Sequence, residues 1–267
     1  MFNWKKYIAE QPIETILLFE ERQLLYLDGH PLRQEWAAVF REKPYLAWFV
    51  AHKAPALRGW VDILAVEYKN ELVPNADELK KMESDLVCSM EDWVIYVTTP
   101  DDYHNQPFNA WDEAELVDLT DWAQKTVVDI GSGTGKQAFA VAPLCKTIFC
   151  VEPVYNLRKY LKAKAENKGI SNAFVVDGLL EEIPFPDGFA DVAMCGHVFG
   201  DLMEQELAEL ERITKPGGMI ILCPGNVDAD NESHQFLLGH GYAWDRFLEP
   251  GETIGCGWKR KYWRTKS

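Results

Sequence analysis

The sequence predicts an α/β protein built on a doubly wound, mostly parallel sheet with a helical N-terminal extension. From about residue 120, short β-branched apolar runs alternate with helical stretches. Before that point, apolar residues recur at helical spacing with little strand alternation. Between the first apolar run and the helix that follows it lies a glycine-rich turn.

In chain order, the first helical segment covers 35–40 and continues after Pro44 through 46–50; a second covers 57–68. A third begins after Pro74, with Asn75 as N-cap and Leu79, Met82, Leu86 and Met90 along one face. Residues 93–99 (WVIYVTT) are rich in β-formers and admit either a short strand or the end of that helix. The strand candidates are 126–130, 147–151, 173–176, 190–194 and 219–222, with helices between them over 136–144, 156–167 and 202–213. Apolar runs without alternation suit strands buried on both faces, and crossover helices make such strands parallel. A closing antiparallel pair is expected from Gly241-Tyr242 and from 257–263, giving seven strands. The expected domains are a mainly helical region over 1–118, acting as a lid or substrate-selecting unit, and a ligand-binding domain over 119–267.

Acidic residues outnumber basic ones 42 to 27, for a net charge of -15. That balance argues against nucleic acid, whose binding draws on Lys and Arg against the phosphate backbone. The one basic cluster, Lys259, Arg260, Lys261, Arg264 and Lys266, is expected to be a solvated edge strand and tail. None of the six cysteines forms a CxxC pair, and no Cys/His cluster has metal-site spacing, so no metal is expected. Cysteines inside apolar runs suggest a reducing compartment. Glu10, Glu14 and Glu20 interrupt the N-terminal apolar residues, and no run reaches the roughly 18 residues that span a bilayer. The expectation is a cytoplasmic protein with no membrane partner.

The most informative stretch is Val127-Val128-Asp129-Ile130-Gly131-Ser132-Gly133-Thr134-Gly135-Lys136. Glycines at a strand-to-helix turn let a ligand approach the backbone, and the helix N-terminus offers N–H donors. A P-loop is excluded at both ends, because Ile130 stands where its first glycine belongs and Gln137 follows the lysine. A dinucleotide fingerprint is excluded because Lys136 replaces its third glycine. The spacing is G-x-G-x-G, preceded by an acid.

With that acid, the segment resembles the first motif of class I S-adenosylmethionine-dependent methyltransferases, whose fold is a seven-stranded Rossmann-like sheet. Further matches follow in order. The second run ends in Val151-Glu152-Pro153, with Glu152 lying 23 residues beyond Asp129, and the third in Val176-Asp177-Gly178-Leu179. Residues 180–192 (LEEIPFPDGFADV) are close to the pattern of the type 11 subgroup, which contains ubiquinone and menaquinone biosynthesis enzymes. Cys195-Gly196-His197-Val198 then ends strand four, and Lys215-Pro216-Gly217-Gly218-Met219 leads into strand five.

The resemblance implies S-adenosyl-L-methionine as cofactor. It implies that Asp129 with Gly131, Ser132, Gly133 and Gly135 holds the amino-acid end, and that Asp177 with Gly178 and Leu179 lies near the adenine. A carboxylate at the tip of strand two can accept both ribose hydroxyls, the role expected of Glu152 beside Pro153. Cys195 and Gly196 complete the cofactor set. Methyl transfer is an in-line displacement in which the protein mainly supplies alignment and a dry pocket. His197 is the candidate general base, at the carboxyl end of strand four where open α/β sheets bind ligands; pocket lining through its backbone is the alternative. Asp201 could orient it or sit as a solvated helix-start acid. Tyr103, His104, Phe108 and Trp111 precede strand one, and some of these aromatics are expected to cover the sulfonium or the substrate. A small organic substrate is expected. The Asn/Asp-Pro-Pro-aromatic signature of amide or adenine methylation is absent from the strand-four exit. A protein or RNA methyltransferase, or a non-catalytic domain that binds the cofactor or its demethylated product, is the alternative.

Overall fold

The computed structural model describes residues 3–71, 73–106, 111–225, 227–248 and 257–267. The chain divides into two units, Met1–Asp102 and Tyr103–Ser267.

Helices form the first unit: α1 (Trp4–Ala9), α2 (Glu21–Leu25), α3 (Arg33–Glu42), α4 (Pro44–Lys53), α5 (Arg58–Glu67), α6 (Ala76–Ser89) and α7 (Glu91–Thr98); α8 (Pro100–His104) contains the boundary between the units. The expected continuous segment through Pro44 is two helices, because the proline ring starts α4 at its first residue and Lys43 breaks from helical geometry. Asn75 caps α6 as expected: its Oδ1 accepts from the amides of Asp77 and Glu78, and Glu78 Oε2 accepts from the Asn75 amide. The ambiguous 93–99 segment is helical, and Val94, Ile95 and Val97 are buried in it. Trp36, Phe40 and Trp60 meet edge-on or tilted in the core, with ring centroids 5.2 to 6.2 Å apart. Lys43 bridges Glu14 and Glu83 at 2.9 and 2.8 Å.

The second unit is a seven-stranded sheet in the order β3-β2-β1-β4-β5-β7-β6. The strands are β1 (Thr126–Ile130), β2 (Thr147–Val151), β3 (Ala173–Val176), β4 (Ala190–Gly196), β5 (Thr214–Cys223), β6 (Ala243–Leu248) and β7 (Trp258–Thr265). The first five are parallel; β7 runs antiparallel between β5 and β6. Helices α10 (Lys136–Val141), α11 (Tyr155–Asn167) and α12 (Met203–Ile213) make the crossovers, and α13 (Glu232–Gly239) precedes β6. Short α9 (Ala114–Val117) precedes β1 and buries Leu116 in this unit's core. The segment that reads as the end of the helical region therefore packs with the sheet. Its anchors, Leu116 and the Glu115 to Lys261 contact, are long-range and invisible to local pattern.

The order reverses at β1 and β4, which opens a crevice at their carboxyl ends. β1 is buried from Val127 to Ile130, as its unbroken apolar run requires. Strand five begins earlier than the expected 219–222: Ala190 pairs with Thr214 and Val192 with Met219, so Lys215 to Gly218 form a bulge inside the ladder, with Gly217 at φ +75°.

The expected solvated edge strand is corrected. β7 is an interior strand, and Lys259, Arg260 and Lys261 are buried at 4, 8 and 2% exposure. Alternation sends Lys259 and Lys261 to one face, where both meet Glu115, and Arg260 to the other, where it meets Asp228 and Asp230. Paired carboxylates make the burial of these charges tolerable. Among the described residues no helix is long and apolar enough to cross a membrane.

Candidate functional site

The turn after β1 is held back against β2: the amides of Gly131 and Ser132 both donate to the Val151 carbonyl, at 2.8 and 3.1 Å. The Ser132 hydroxyl donates to the Asp129 carbonyl at 2.7 Å, and the Gly135 amide closes the turn on Ser132. Gly131, Gly133 and Gly135 all have positive φ. At Gly135, in left-handed geometry at the N-cap of α10, a Cβ would lie 2.6 Å from the buried Phe139 ring, so the position demands glycine twice over.

This turn floors a pocket. Its described lining comprises Tyr103, Trp111, Asp129, the 131–134 backbone, Lys136, Gln137, Gly196, His197, Cys223, Lys259 and Lys261. Asp129 is 2% exposed, and its Oδ2 is buried with no hydrogen-bond partner among the described residues. Burial, reinforced by the neighbouring Glu152 charge, pushes its carboxyl up to about 7. Glu152, 4% exposed, is likewise pushed by burial to about 7. Its Oε2 accepts from the Gly133 amide at 2.8 Å and its Oε1 from the Val154 amide at 2.9 Å.

Arg158, on the first turn of α11, ties the tips of β2 and β3 together. Its guanidinium donates to the carbonyls of Glu152 and Pro153 and to Asp177 Oδ1. A second cluster braces the loop from below, where Lys164 donates to the Thr134 carbonyl and lies 3.0 Å from the His104 ring, itself 2.9 Å from the Thr134 hydroxyl.

Of the residues expected to form the site, Asp129, Gly131, Ser132, Gly133, Gly196, His197, Tyr103 and Trp111 meet in this one pocket. Glu152 reaches it through the Gly133 amide. Pro153, Asp177, Gly178 and Leu179 lie along the β2 and β3 ends rather than in its lining. The Asp177 side chain is 71% exposed, and Gly178 packs against Val151 and Pro184. Cys195 is buried beneath the floor within β4. Phe108 lies outside the described residues. His197 is exposed at the strand-four exit, in left-handed geometry at φ +63°, and its amide donates to the Cys223 carbonyl at 2.7 Å. Trp111 faces two ammonium groups, with Lys261 Nζ 4.4 Å and Lys259 Nζ 5.8 Å from its ring centroid.

Sequence reasoning gave no site role to Thr134, Lys136, Gln137, Cys223, Lys259 or Lys261, all of which line the pocket. Lys136 and Gln137 directly follow the glycine turn, and Lys259 and Lys261 share an i, i+2 face of a strand; both signals are local. Among the described residues no group of three His, Cys, Asp or Glu side chains could hold a metal.

The glycine turn lies at the switch point of a 3-2-1-4-5-7-6 sheet, with a buried acid at the end of β1, which is where open α/β sheets place their ligands. Residues 128–222 match the family described as a methyltransferase domain. The uncharacterized methyltransferase YcgJ of Bacillus subtilis is 30% identical over 118 residues, covering 43% of this chain and 46% of that protein. Demethylmenaquinone methyltransferase of Geobacillus kaustophilus is 26% identical over 153 residues, covering 54% and 62%. The matches thus span about half the length of these relatives. Among solved structures, a chain from the complex of the Haloferax volcanii Trm112 methyltransferase activator with a methyltransferase superposes with a TM-score of 0.55. That chain is 15% identical, with coverage of 65% of this chain and 96% of that one, and the likeness shows the fold. The family match runs from β1 to β5, so the likeness to a methyltransferase domain lies within the sheet unit.

Proposed function

We propose that the protein transfers a methyl group from S-adenosylmethionine to a small organic acceptor. The observation that carries this is the buried, unpartnered Oδ2 of Asp129 in a pocket floored by the G-x-G-x-G turn. An acid pushed to about 7 by burial is stabilised in its charged form by an arriving ammonium, which the amino-acid end of the cofactor carries. The bound cofactor supplies the activated methyl group. Asp129 and the turn hold its amino-acid end; Glu152, already facing the turn, accepts from the ribose hydroxyls; Asp177 lies toward the base. The remaining wall aligns the acceptor and excludes water. His197 is the group proposed to take the acceptor's proton, from the exit of β4.

Calorimetric titration of the intact chain with S-adenosylmethionine and with S-adenosylhomocysteine tests this. The expected result is micromolar binding of both, lost in Asp129→Ala, followed by turnover in a methyl-transfer screen of small acceptors. Tight binding without turnover across that screen would favour a non-catalytic cofactor-binding role, and no binding at all would overturn the proposal.

A further inference from the structure

The chain carries a net charge of -15, yet the described lining of its cofactor pocket holds three lysines, Lys136, Lys259 and Lys261, against one carboxylate, Asp129. The three fall in two places. Lys136 is the first residue of α10, beside the glycine turn. Lys259 and Lys261 lie on β7, which the sheet order separates from β1 by β4 and β5. At about 4.8 Å per strand, that is roughly 14 Å across the sheet. Cys223, at the end of β5, and Gly196 and His197, at the end of β4, line the pocket in between.

The two β7 lysines are held as a built wall. Lys261 Nζ donates to Glu115 Oε2 at 2.6 Å, and Lys259 Nζ lies 3.3 Å from the same oxygen. Trp111 covers both, and the Phe247 ring lies 5.2 Å from Lys261 Nζ. Lysine is rarely buried, because ordering and desolvating its ammonium is costly. Glu115 offsets that cost and fixes both side chains in place, so an anion entering the pocket they line meets ammonium groups already ordered to receive it.

We propose that Lys259 and Lys261 bind an oxyanion, a carboxylate or phosphate, on the methyl-accepting substrate, so that the enzyme selects anionic acceptors. This rests on the methyltransferase reading above and specifies its substrate class. Burial pulls the Lys261 ammonium below the ordinary lysine value, so a negative group arriving in the pocket restores the charged form and is bound more tightly for it. The cofactor's own carboxylate is the competing occupant. The glycine turn fixes the amino-acid end at β1, where Lys136 is the near cation, and the β7 pair faces what lies across the pocket.

The test titrates benzoate, its neutral isostere benzamide, and inorganic phosphate into the full chain, both free and saturated with S-adenosylhomocysteine. The expected result is that benzoate or phosphate binds the loaded protein while benzamide does not. Lys261→Met and Lys259→Met each weaken the anion by about tenfold or more, the scale of one charged hydrogen bond. Lys261→Arg retains binding, and S-adenosylhomocysteine affinity stays within about twofold across the variants on the same arithmetic. Circular dichroism checks that each variant folds; should Lys261→Met fail, Lys259→Met carries the comparison. Equal binding of benzoate and benzamide, no anion binding, or anion binding indifferent to both methionine variants overturns the proposal. So does competition between the anions and S-adenosylhomocysteine with a matching loss of cofactor affinity in Lys261→Met, which would give the lysines to the cofactor. A wild-type chain that binds no S-adenosylhomocysteine defeats the methyltransferase reading by itself, while the anion comparison on the free chain still decides the lysines.

Discussion

Glu152 Oε2 accepts the Gly133 amide at 2.8 Å, so the acid at the tip of β2 and the glycine turn after β1 are one hydrogen-bonded piece. The same carboxylate lies near enough to Asp129 for its charge to raise the Asp129 pKa. Any ligand seated on the turn is therefore sensed by two buried acids at once.

That pairing predicts a pH dependence. Both carboxyls rise from ordinary carboxylate values to about 7, first through burial. A group raised on folding contributes stability that is complete below its unfolded value and is lost as pH rises through its folded value. The ligand-free protein should thus lose this contribution between about pH 4 and 7, and Asp129→Asn should flatten that part of the profile. Thermal melts of both proteins across this range check it; parallel profiles would refute it. Cofactor affinity should run the other way, tightening from pH 6 to 8, because a cationic ligand prefers the ionised acids.

Gly135 offers a sharper test of the turn. Alanine there must hold φ at +76° and place its Cβ 2.6 Å from Phe139 and 2.8 Å from Leu161, both buried. Left-handed strain of about 1–2 kcal/mol and overpacking of about 1–3 kcal/mol together predict a loss of roughly 2–5 kcal/mol. Gly133→Ala meets no atom closer than 3.9 Å, so it should show only the strain component. Denaturant melts compare the two, and equal losses would mean that packing at Gly135 contributes nothing.

The parallel core was legible from its unbroken apolar runs: Thr126–Ile130 is buried along its length, Thr147–Val151 largely so, and even the edge strand Ala173–Val176 keeps the pattern although Phe174 is exposed. The G-x-G-x-G turn was legible because its requirement for positive φ is local. Residues 93–99 were not, since Val, Ile and Tyr suit a strand and only burial of Val94, Ile95 and Val97 in a helical unit makes them α7. The β7 lysines were least legible of all. A run of Lys and Arg reads as solvent-facing, and Glu115, the carboxylate that accompanies Lys261 into the interior, lies 146 residues away in sequence. Local pattern reports backbone preference and burial of apolar groups, whereas buried charge is decided by distant partners.

Arg158 was missed for the same reason, and it carries a prediction. Its guanidinium holds the carbonyls of Glu152 and Pro153 and the carboxylate of Asp177. Arg158→Met should cost about 1–2 kcal/mol of stability by leaving those carbonyls short of a donor. It should also weaken cofactor binding several-fold by loosening the tips of β2 and β3. Asp177→Asn removes only an exposed ion pair and should cost less than about 1 kcal/mol. A larger effect from Asp177→Asn than from Arg158→Met in melts would place the weight on the ion pair instead of the carbonyls.

His197 decides whether the site contains a protein base. Its left-handed φ of +63° is costly for a residue with a Cβ, by about 1–2 kcal/mol, so the β4 exit holds a strained histidine where glycine would sit freely. His197→Gly relieves that strain while loosening the unfolded chain by about 0.4–1 kcal/mol, so its stability should stay near wild type or rise slightly. Turnover is expected to behave differently. With the acceptor found by the methyl-transfer screen and cofactor at saturation, loss of a general base should lower the rate about 10²–10⁴-fold in both His197→Gly and His197→Gln. Unchanged turnover in the two variants would remove the base role and leave His197 as pocket lining through its backbone, whose amide already donates to the Cys223 carbonyl. In that outcome the bound acceptor must already be a competent nucleophile, and the protein's contribution to rate reduces to alignment and exclusion of water.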